Sequence, residues 1–235
     1  MRKNDLIIAC DFKDGKTAYG FLELFPKQEK PFIKIGMELF FREGPDFVKK
    51  LSDAGYDIFL DMKLHDIPNT VKGAMRNIAK LNVKIVNLHA AGTVAMMKAA
   101  LEGLSEETKE RPLLIAVTQL TSTGETEMRN ELLITSSLEE TVVHYANNAK
   151  KAGLDGVVCS PVETPAVKQA CGGDFITVTP GIRYPDSKAD DQVRVTTPKK
   201  ARESGCDYIV VGRPITASAD PVKAYLQMKT EFLGG

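Results

Sequence analysis

The sequence predicts a single α/β barrel, a (β/α)8 fold in which eight parallel strands alternate with helices. Short apolar runs alternate with amphipathic segments from one end of the chain to the other. The 235 residues are a normal length for one such barrel, and no Ser/Pro-rich linker or change of composition divides them. We therefore expect residues 1–235 to form one domain. A doubly wound sheet is the alternative, but it needs fewer strands and usually a glycine-rich first turn, which this sequence lacks.

The predicted strands are short and mostly apolar, as expected for strands that are buried on both faces. The third of them opens the segment Asp57–Thr70, which is described below. In chain order the strands are Leu6–Cys10, Phe32–Gly36, Ile58–Leu60, Val83–Leu88, Leu113–Thr118, Gly156–Ser160, Phe175–Thr179 and Tyr208–Gly212.

The predicted helices lie between these strands and several carry recognisable ends. Pro45 suits a first helical turn, Gly55 and Gly153 suit helix stops, and Ser137 with Glu140 forms a capping box. A short helix is also expected within residues 119–137. The other predicted helices are Lys16–Phe25, Pro45–Ala54, Thr70–Leu81, Thr93–Leu104, Leu138–Ala152, Glu163–Ala170, Pro198–Ser204 and Asp220–Phe232.

The composition indicates a soluble enzyme without a nucleic-acid or membrane partner. Lys+Arg and Asp+Glu both number 31, so no overall field favours nucleic acid. The first apolar run is too short for a signal peptide, and no run approaches the roughly 20 apolar residues that span a bilayer. The four cysteines show no C-x-x-C spacing, which predicts reduced thiols and a cytoplasmic location.

The segment Asp57–Thr70, DIFLDMKLHDIPNT, has the strongest functional pattern. Asp61 and Lys63 follow a buried strand at spacing i, i+2, so their side chains should lie side by side. Asp66 comes next, and Thr70 or Asn69 is expected to cap the following helix. A D-x-K triplet alone also occurs by chance at solvated strand ends. Here the triplet is part of the longer string D-x-K-x-x-D-I-P-x-T, which fixes six residue types at set spacings and is therefore far more specific.

Further candidate site residues lie in or directly after several of the other strands and should meet at the same end of the barrel. They are Asp11, Lys34, Thr121, Pro180, Arg183, Gly212 and Arg213. Gly212 and Arg213 after the last strand are typical of a phosphate site, since a barrel often binds phosphate with the loops after strands seven and eight. The long polar loop from Gly181 to Thr197 is predicted to be a lid and also carries Gln192 and Arg194.

DMKLHDIPNT resembles the signature of the orotidine 5′-monophosphate decarboxylase family, bacterial type. Asp11, Lys34 in FIKIG, and the strings VTQLTSTG, TPGIRYP, DDQ and VVGRPI follow in the family's order, so the resemblance covers nearly the whole chain. It implies a carboxy-lyase that converts orotidine 5′-monophosphate to UMP and CO2 in pyrimidine biosynthesis. It also implies that neither a metal nor an organic cofactor is needed.

The resemblance further implies roles for individual residues. Lys63 would stabilise negative charge at C6 and deliver the proton, Asp61 would face the departing carboxylate, and Lys34 would link to Asp61. Asp11 and Lys34 match ribose contacts. Thr121 matches a contact to the pyrimidine, with Ser122 and Thr123 as open alternatives. The remaining implied substrate contacts are Pro180, Arg183, Gln192, Gly212 and Arg213, of which Gln192 and Arg213 would grip the phosphate.

The same resemblance implies a homodimer with shared sites. Asp66 would complete an alternating Lys34–Asp61–Lys63–Asp66 array, and Asp66, Ile67 and Thr70 would reach the neighbouring subunit's site. Two other functions remain open. Magnesium-dependent sugar-phosphate relatives have a similar D-x-K-x-x-D string but carry a Glu where this chain has Lys34. A non-catalytic nucleotide sensor would need the phosphate residues but not the charge array.

Metal binding finds little support in the histidine pattern. His65, His89 and His144 show neither H-x-H nor H-x-x-x-H spacing. His65 lies inside the signature string, where orientation or solvent exposure is the expected role. The sequence therefore predicts no metal site.

Overall fold

A computed structural model describes residues 4–108, 110–184 and 195–235 of the chain. Eight strands in these ranges pair in parallel in chain order, and the last pairs with the first, so they close a barrel. The predicted (β/α)8 barrel is confirmed. The strands are β1 Asp5–Ala9, β2 Phe32–Gly36, β3 Ile58–Leu64, β4 Ile85–His89, β5 Leu113–Val117, β6 Gly156–Val158, β7 Ile176–Thr179 and β8 Tyr208–Val211.

Helices connect the strands along the outside of the barrel. They are α1 Gly15–Leu22, α2 Met37–Glu43, α3 Pro45–Asp53, α4 Pro68–Ile78, α5 Thr93–Glu107, α6 Glu125–Asn130, α7 Leu138–Lys151, α8 Thr164–Cys171, α9 Pro198–Glu203, α10 Arg213–Thr216 and α11 Pro221–Leu233. Within the described ranges, none of them is long and apolar enough to cross a bilayer.

Most helix boundaries agree with the sequence prediction, but the start of α4 does not. Asn69 and Thr70 do not cap it, because the helix begins earlier, at Pro68, and the capping position is Ile67 without a side-chain cap. Proline fits the first helical turn, and the residue before a proline prefers the extended backbone that Ile67 has, with ψ 151°. The capping box of α7 is confirmed, since Ser137 and Glu140 exchange hydrogen bonds.

Two helices, α2 and α10, are absent from the prediction. The seven residues of α2 follow β2 directly, with Gly36 at the capping position, so no polar turn announces the helix. The four residues of α10 are too few for an apolar period to show. Both helices begin where their strands end, so they help to shape that end of the barrel.

The core has two layers that follow the alternation of side chains along each strand. On β1, Ile7 and Ala9 belong to the cluster inside the barrel, whereas Leu6 and Ile8 pack in the layer beneath the helices. On β3, Phe59 lies inside the barrel. Asp61 therefore follows Phe59 on the interior face, where the strand reaches the open end.

Candidate active site

A cavity of about 460 Å³ opens at the end of the barrel where the strands finish. Ala9, Phe59 and Val210 from the barrel interior form part of its lining. The predicted site residues that also line it are Asp11, Lys34, Asp61, Lys63, Thr121, Pro180, Arg183, Gly212 and Arg213. The structure thus brings nine residues from six strand ends around one space.

Four of these residues form an alternating chain of charges. The Lys34 ammonium lies 2.8 Å from Asp11 Oδ1 and 3.3 Å from Asp61 Oδ2. The Lys63 ammonium lies 2.7 Å from the other oxygen of the Asp61 carboxylate. Asp61 is therefore held between two ammonium groups. Its contact with Lys63 agrees with the prediction from the i, i+2 spacing, and its contact with Lys34 agrees with the link that the resemblance implies.

The middle of this chain of charges is buried. Lys34 and Asp61 are 8% and 7% exposed. Burial disfavours both charged forms, but the neighbouring charges outweigh it. The ammonium groups of Lys34 and Lys63 hold the pKa of Asp61 below its usual value. In the same way, the carboxylates of Asp61 and Asp11 hold the pKa of Lys34 above the usual value for a lysine. Both groups are therefore charged at neutral pH.

Gly36 at the end of β2 leaves room for the Lys34–Asp11 pair. A Cβ atom at this position would lie 2.9 Å from Asp11 Oδ1 and 3.0 Å from Lys34 Nζ. Any larger side chain would therefore push on both charged groups. The absence of a side chain here is part of how the pair fits at the strand end.

The end of β3 departs from regular strand geometry. Leu60 pairs with Val86 and Leu64 pairs with Leu88, so three residues of β3 face the single residue Asn87 of β4. Lys63 lies within this bulge and has φ 50°, in the left-handed region that non-glycine residues rarely adopt. Bulges re-aim side chains, and here the bulge carries the Lys63 side chain at the cavity wall.

Asn87 is a site residue that the sequence analysis missed. Its side chain is fully buried, donates from Nδ2 to Asp61 Oδ1 at 2.6 Å, and accepts at Oδ1 from the Lys63 backbone N–H at 2.8 Å. The signal that could have revealed it is a lone polar residue inside the apolar run IVNLH. A buried amide in such a strand requires polar partners.

The other side of the cavity carries the predicted ring and phosphate groups. Thr121 and Ser122 line it, whereas Thr123 does not. The two ends of the long loop are tied together near Arg183, whose backbone N–H donates to the Thr196 carbonyl at 2.9 Å. Two predicted loop residues, Gln192 and Arg194, lie outside the described residues, so the lid remains a prediction.

Three predicted residues do not line the cavity of their own barrel. Asp66, Ile67 and Thr70 are exposed beyond the end of β3. The Asp66 carboxylate accepts a hydrogen bond from the Ile67 backbone N–H at 2.6 Å. The charge chain described within one subunit therefore runs Asp11–Lys34–Asp61–Lys63, without Asp66.

Metal-binding groups and thiols add little to the site. Across the residues that the structure describes, no three or more His, Cys, Asp or Glu side chains are grouped so that they could hold a metal ion. The rings of His65 and His89 lie side by side, with centroids 5.7 Å apart. All four cysteines are buried and none is in a disulfide, and burial raises the pKa of Cys10 to about 12.

Comparison with known proteins gives consistent matches. The sequence model of the family described as "Orotidine 5'-phosphate decarboxylase / HUMPS family" matches residues 4–228. Proteins named orotidine 5′-phosphate decarboxylase from Bacillus cytotoxicus and Bacillus mycoides are 56% and 55% identical over 232 residues, 97% of each chain. The crystal structure of orotidine 5′-phosphate decarboxylase from Lactobacillus acidophilus is similar, with a TM-score of 0.88 and 42% identity over 97% of this chain and 99% of that one.

Proposed function

The chain belongs to the orotidine 5′-phosphate decarboxylase / HUMPS family, and from this premise we propose that it decarboxylates orotidine 5′-monophosphate to UMP. The reaction would belong to the de novo synthesis of pyrimidine nucleotides. The observation that carries the proposal is the Asp11–Lys34–Asp61–Lys63 chain of charges on the wall of the cavity. Relatives of this name at 55–56% identity support the choice of substrate.

Lys63 is the residue that acts on the reacting carbon in this proposal. Loss of CO2 from C6 of the orotate ring leaves a carbanion with no adjacent carbonyl to take up its charge. A fixed ammonium group beside C6 stabilises that charge as it develops and then supplies the proton. The Lys63 ammonium suits this task because it is one quarter exposed, lines the cavity, and is fixed by Asp61 at 2.7 Å.

Asp61 faces the carboxylate that leaves. Its lowered pKa keeps it ionised, so the bound substrate carboxylate would meet a like charge that is relieved when CO2 departs. Lys34 holds the other oxygen of Asp61, and we assign Lys34 and its partner Asp11 to the ribose hydroxyls. The four residues carry no net charge, and we propose that they need neither a metal nor an organic cofactor.

The nucleotide's other groups are assigned to the remaining cavity wall. Arg213 and Gly212 bind the phosphate, Arg213 through its guanidinium and Gly212 through its backbone, because guanidinium and phosphate match in charge and geometry. Thr121 contacts the pyrimidine, with its hydroxyl able both to donate and to accept. Pro180 and Arg183 complete the wall. Gln192 is assigned to the phosphate from the resemblance alone.

We further propose that the enzyme is a homodimer whose sites are shared between subunits. Asp66, Ile67 and Thr70 would enter the partner's cavity, which explains why they do not line their own. The exposed apolar side chain of Ile67 itself supports a contact surface in this segment, since Ile67 is 67% exposed. We take residues 1–235 to be one decarboxylase domain that acts in the cytoplasm.

A direct assay tests the proposed function. Purified protein is mixed with orotidine 5′-monophosphate and the loss of substrate absorbance is followed, with Lys63→Ala as the matched inactive control. Rapid conversion to UMP by the wild type alone is the expected result. Binding without conversion would instead support the nucleotide sensor. Turnover of a sugar phosphate only, and only with added Mg²⁺, would move the chain to the other branch of its family.

A further inference from the structure

Asn87 lies behind the charge chain and does not line the cavity. Its side-chain amide has only one orientation that forms a hydrogen bond with both the Lys63 backbone and the Asp61 carboxylate. The Lys63 backbone N–H can only donate, so it faces Asn87 Oδ1, and the ionised Asp61 carboxylate can only accept, so it faces Nδ2. One neutral amide thus joins the backbone of one catalytic residue to the side chain of another.

The bulge in β3 explains why a side chain is needed at this place. Residues 61–63 face only Asn87 between the Leu60–Val86 and Leu64–Leu88 pairs. The Lys63 N–H is bonded by the Asn87 side chain instead of a backbone carbonyl. A residue such as Lys63 with positive φ keeps that conformation only when its surroundings hold it. The amide of Asn87 is one of the groups that hold it.

Asn87 also completes the environment of Asp61 without adding charge. Asp61 Oδ1 accepts from both Lys63 Nζ and Asn87 Nδ2, and Oδ2 faces Lys34. Two ammonium groups attract the carboxylate from different sides, and they alone do not fix the plane of the carboxylate. A short hydrogen bond from a buried, rigid amide does fix it.

We propose that Asn87 is a positioning residue for the decarboxylation, a role that rests on the function proposed above. It sets the Asp61 carboxylate and the Lys63 backbone in the geometry that the reaction uses, and it acts through these two residues without touching the substrate. A residue of this kind affects the chemical step more than binding, because the ribose and phosphate contacts lie elsewhere on the cavity wall.

The first test is Asn87→Ala. We expect kcat to fall at least about 30-fold, which corresponds to about 2 kcal/mol at 1.36 kcal/mol per tenfold change. The affinity for UMP should stay within about threefold of wild type, since UMP has no C6 carboxylate facing Asp61. Thr177→Val is the matched control, because it also removes a buried polar group of a barrel strand, remote from the site. Its kcat should be unchanged.

The second test is Asn87→Asp, which keeps the shape and the acceptor for the Lys63 N–H. The new carboxylate would face Asp61, and two carboxylates in contact cannot both be ionised easily, so one of their pKa values rises. We therefore expect the ratio of variant to wild-type kcat to increase as the pH falls, when a proton restores the lost hydrogen bond. Lys34, Lys63 and His89 are the charged or titratable groups near the pair in both proteins, and the ratio to wild type removes only the pH dependence that the two proteins share.

A third readout does not depend on turnover. Hydrogen exchange at the Lys63 amide, followed by mass spectrometry, should be slow in the wild type and faster in Asn87→Ala, relative to neighbouring strand amides. The proposal is overturned if Asn87→Ala keeps kcat within about threefold of wild type. It is also overturned if UMP affinity falls as much as kcat, which would indicate general loss of structure.

The outcomes separate this inference from the proposed function. If Asn87→Ala does not fold, the pH dependence of Asn87→Asp decides, and a flat ratio overturns the proposal. If the wild type fails to convert orotidine 5′-monophosphate, the proposed function is wrong. The exchange experiment still reports whether Asn87 holds the Lys63 backbone in that case.

Discussion

Replacing Lys34 by methionine removes the cation in the middle of the buried charge chain. Methionine fills a similar space, so the main change is electrostatic. Asp61, which is 7% exposed, loses its contact at 3.3 Å and keeps Lys63 as its only partner ammonium among the described residues. Asp11 loses its partner as well, but its side chain is 54% exposed and water can replace the lost ammonium.

The expected loss of stability follows from the burial of Asp61. Removing one partner of a buried ion pair costs about 3–5 kcal/mol, because the remaining charge is left poorly compensated. A domain of this length loses roughly 2–4 °C in Tm for each kcal/mol, so Tm should fall by about 6–20 °C at pH 7. The lower part of this range is favoured, since Lys63 still faces Asp61 at 2.7 Å.

The loss should also depend on pH in a definite direction. In the wild type the pKa of Asp61 is below its unfolded value, so its contribution to stability is present above that value and is lost as the pH falls. Without Lys34, burial raises the pKa of Asp61, and the folded variant takes up a proton more readily than the unfolded chain. The difference in Tm between wild type and variant should therefore shrink as the pH is lowered from 7 towards 4.

Thermal unfolding followed by circular dichroism measures both effects. Lys49→Met is the matched control, because Lys49 pairs with Asp53 on the exposed face of α3, where an ion pair contributes about 0–1 kcal/mol. Its Tm should change by no more than about 4 °C. A Lys34→Met protein as stable as this control at pH 7, or a deficit that widens at low pH, would refute the reasoning about the buried chain.

Three further predictions concern the reaction. Lys63→Ala should lose at least about 99% of kcat and still bind UMP, because the proton donor is gone and the phosphate contacts remain. A smaller loss of kcat, measured from the rate of UMP formation, would show that another group is the acid. Activity should persist after exhaustive dialysis against EDTA and should not rise with added Mg²⁺, which distinguishes this chain from metal-dependent members of the family. Mixed and re-annealed Lys63→Ala and Asp66→Asn proteins should regain roughly a quarter of wild-type activity per site, since about half of the dimers would hold one intact shared site. No recovery, once heterodimers have been demonstrated, would place Asp66 in its own barrel.

The barrel and the charged groups at its open end could be predicted because both depend on local pattern. Apolar runs mark buried strands, and the residues that follow parallel strands must meet at one end. The i, i+2 spacing predicts the contact between Asp61 and Lys63, although β3 is bulged there and is not the regular extended strand that the prediction assumes. The helix α2 could not be predicted in this way, because its start at Met37 continues directly from β2 and carries no side-chain cap.

The bulge and Asn87 could not be predicted because they depend on register between two strands. Nothing in the order of residues 58–64 shows that three of them will face one residue of β4, or that Lys63 will adopt positive φ. The role of Asn87 appears only when β3 and β4 are placed side by side. The register between two strands depends on how they pack together, and a single sequence predicts it only weakly.

The alternating order of the charges connects stability with the proposed chemistry. A lone buried carboxylate would be protonated, yet the proposed reaction needs Asp61 ionised and Lys63 charged before the substrate arrives. Placing Lys34 on the far side of Asp61 meets both needs, because it keeps Asp61 ionised and leaves the Lys63 ammonium facing the cavity. When CO2 departs, the new charge at C6 then meets a cation that is already in place and needs no reorganisation. The free energy of folding has fixed these charges in advance, so Lys34→Met should lower kcat as well as Tm.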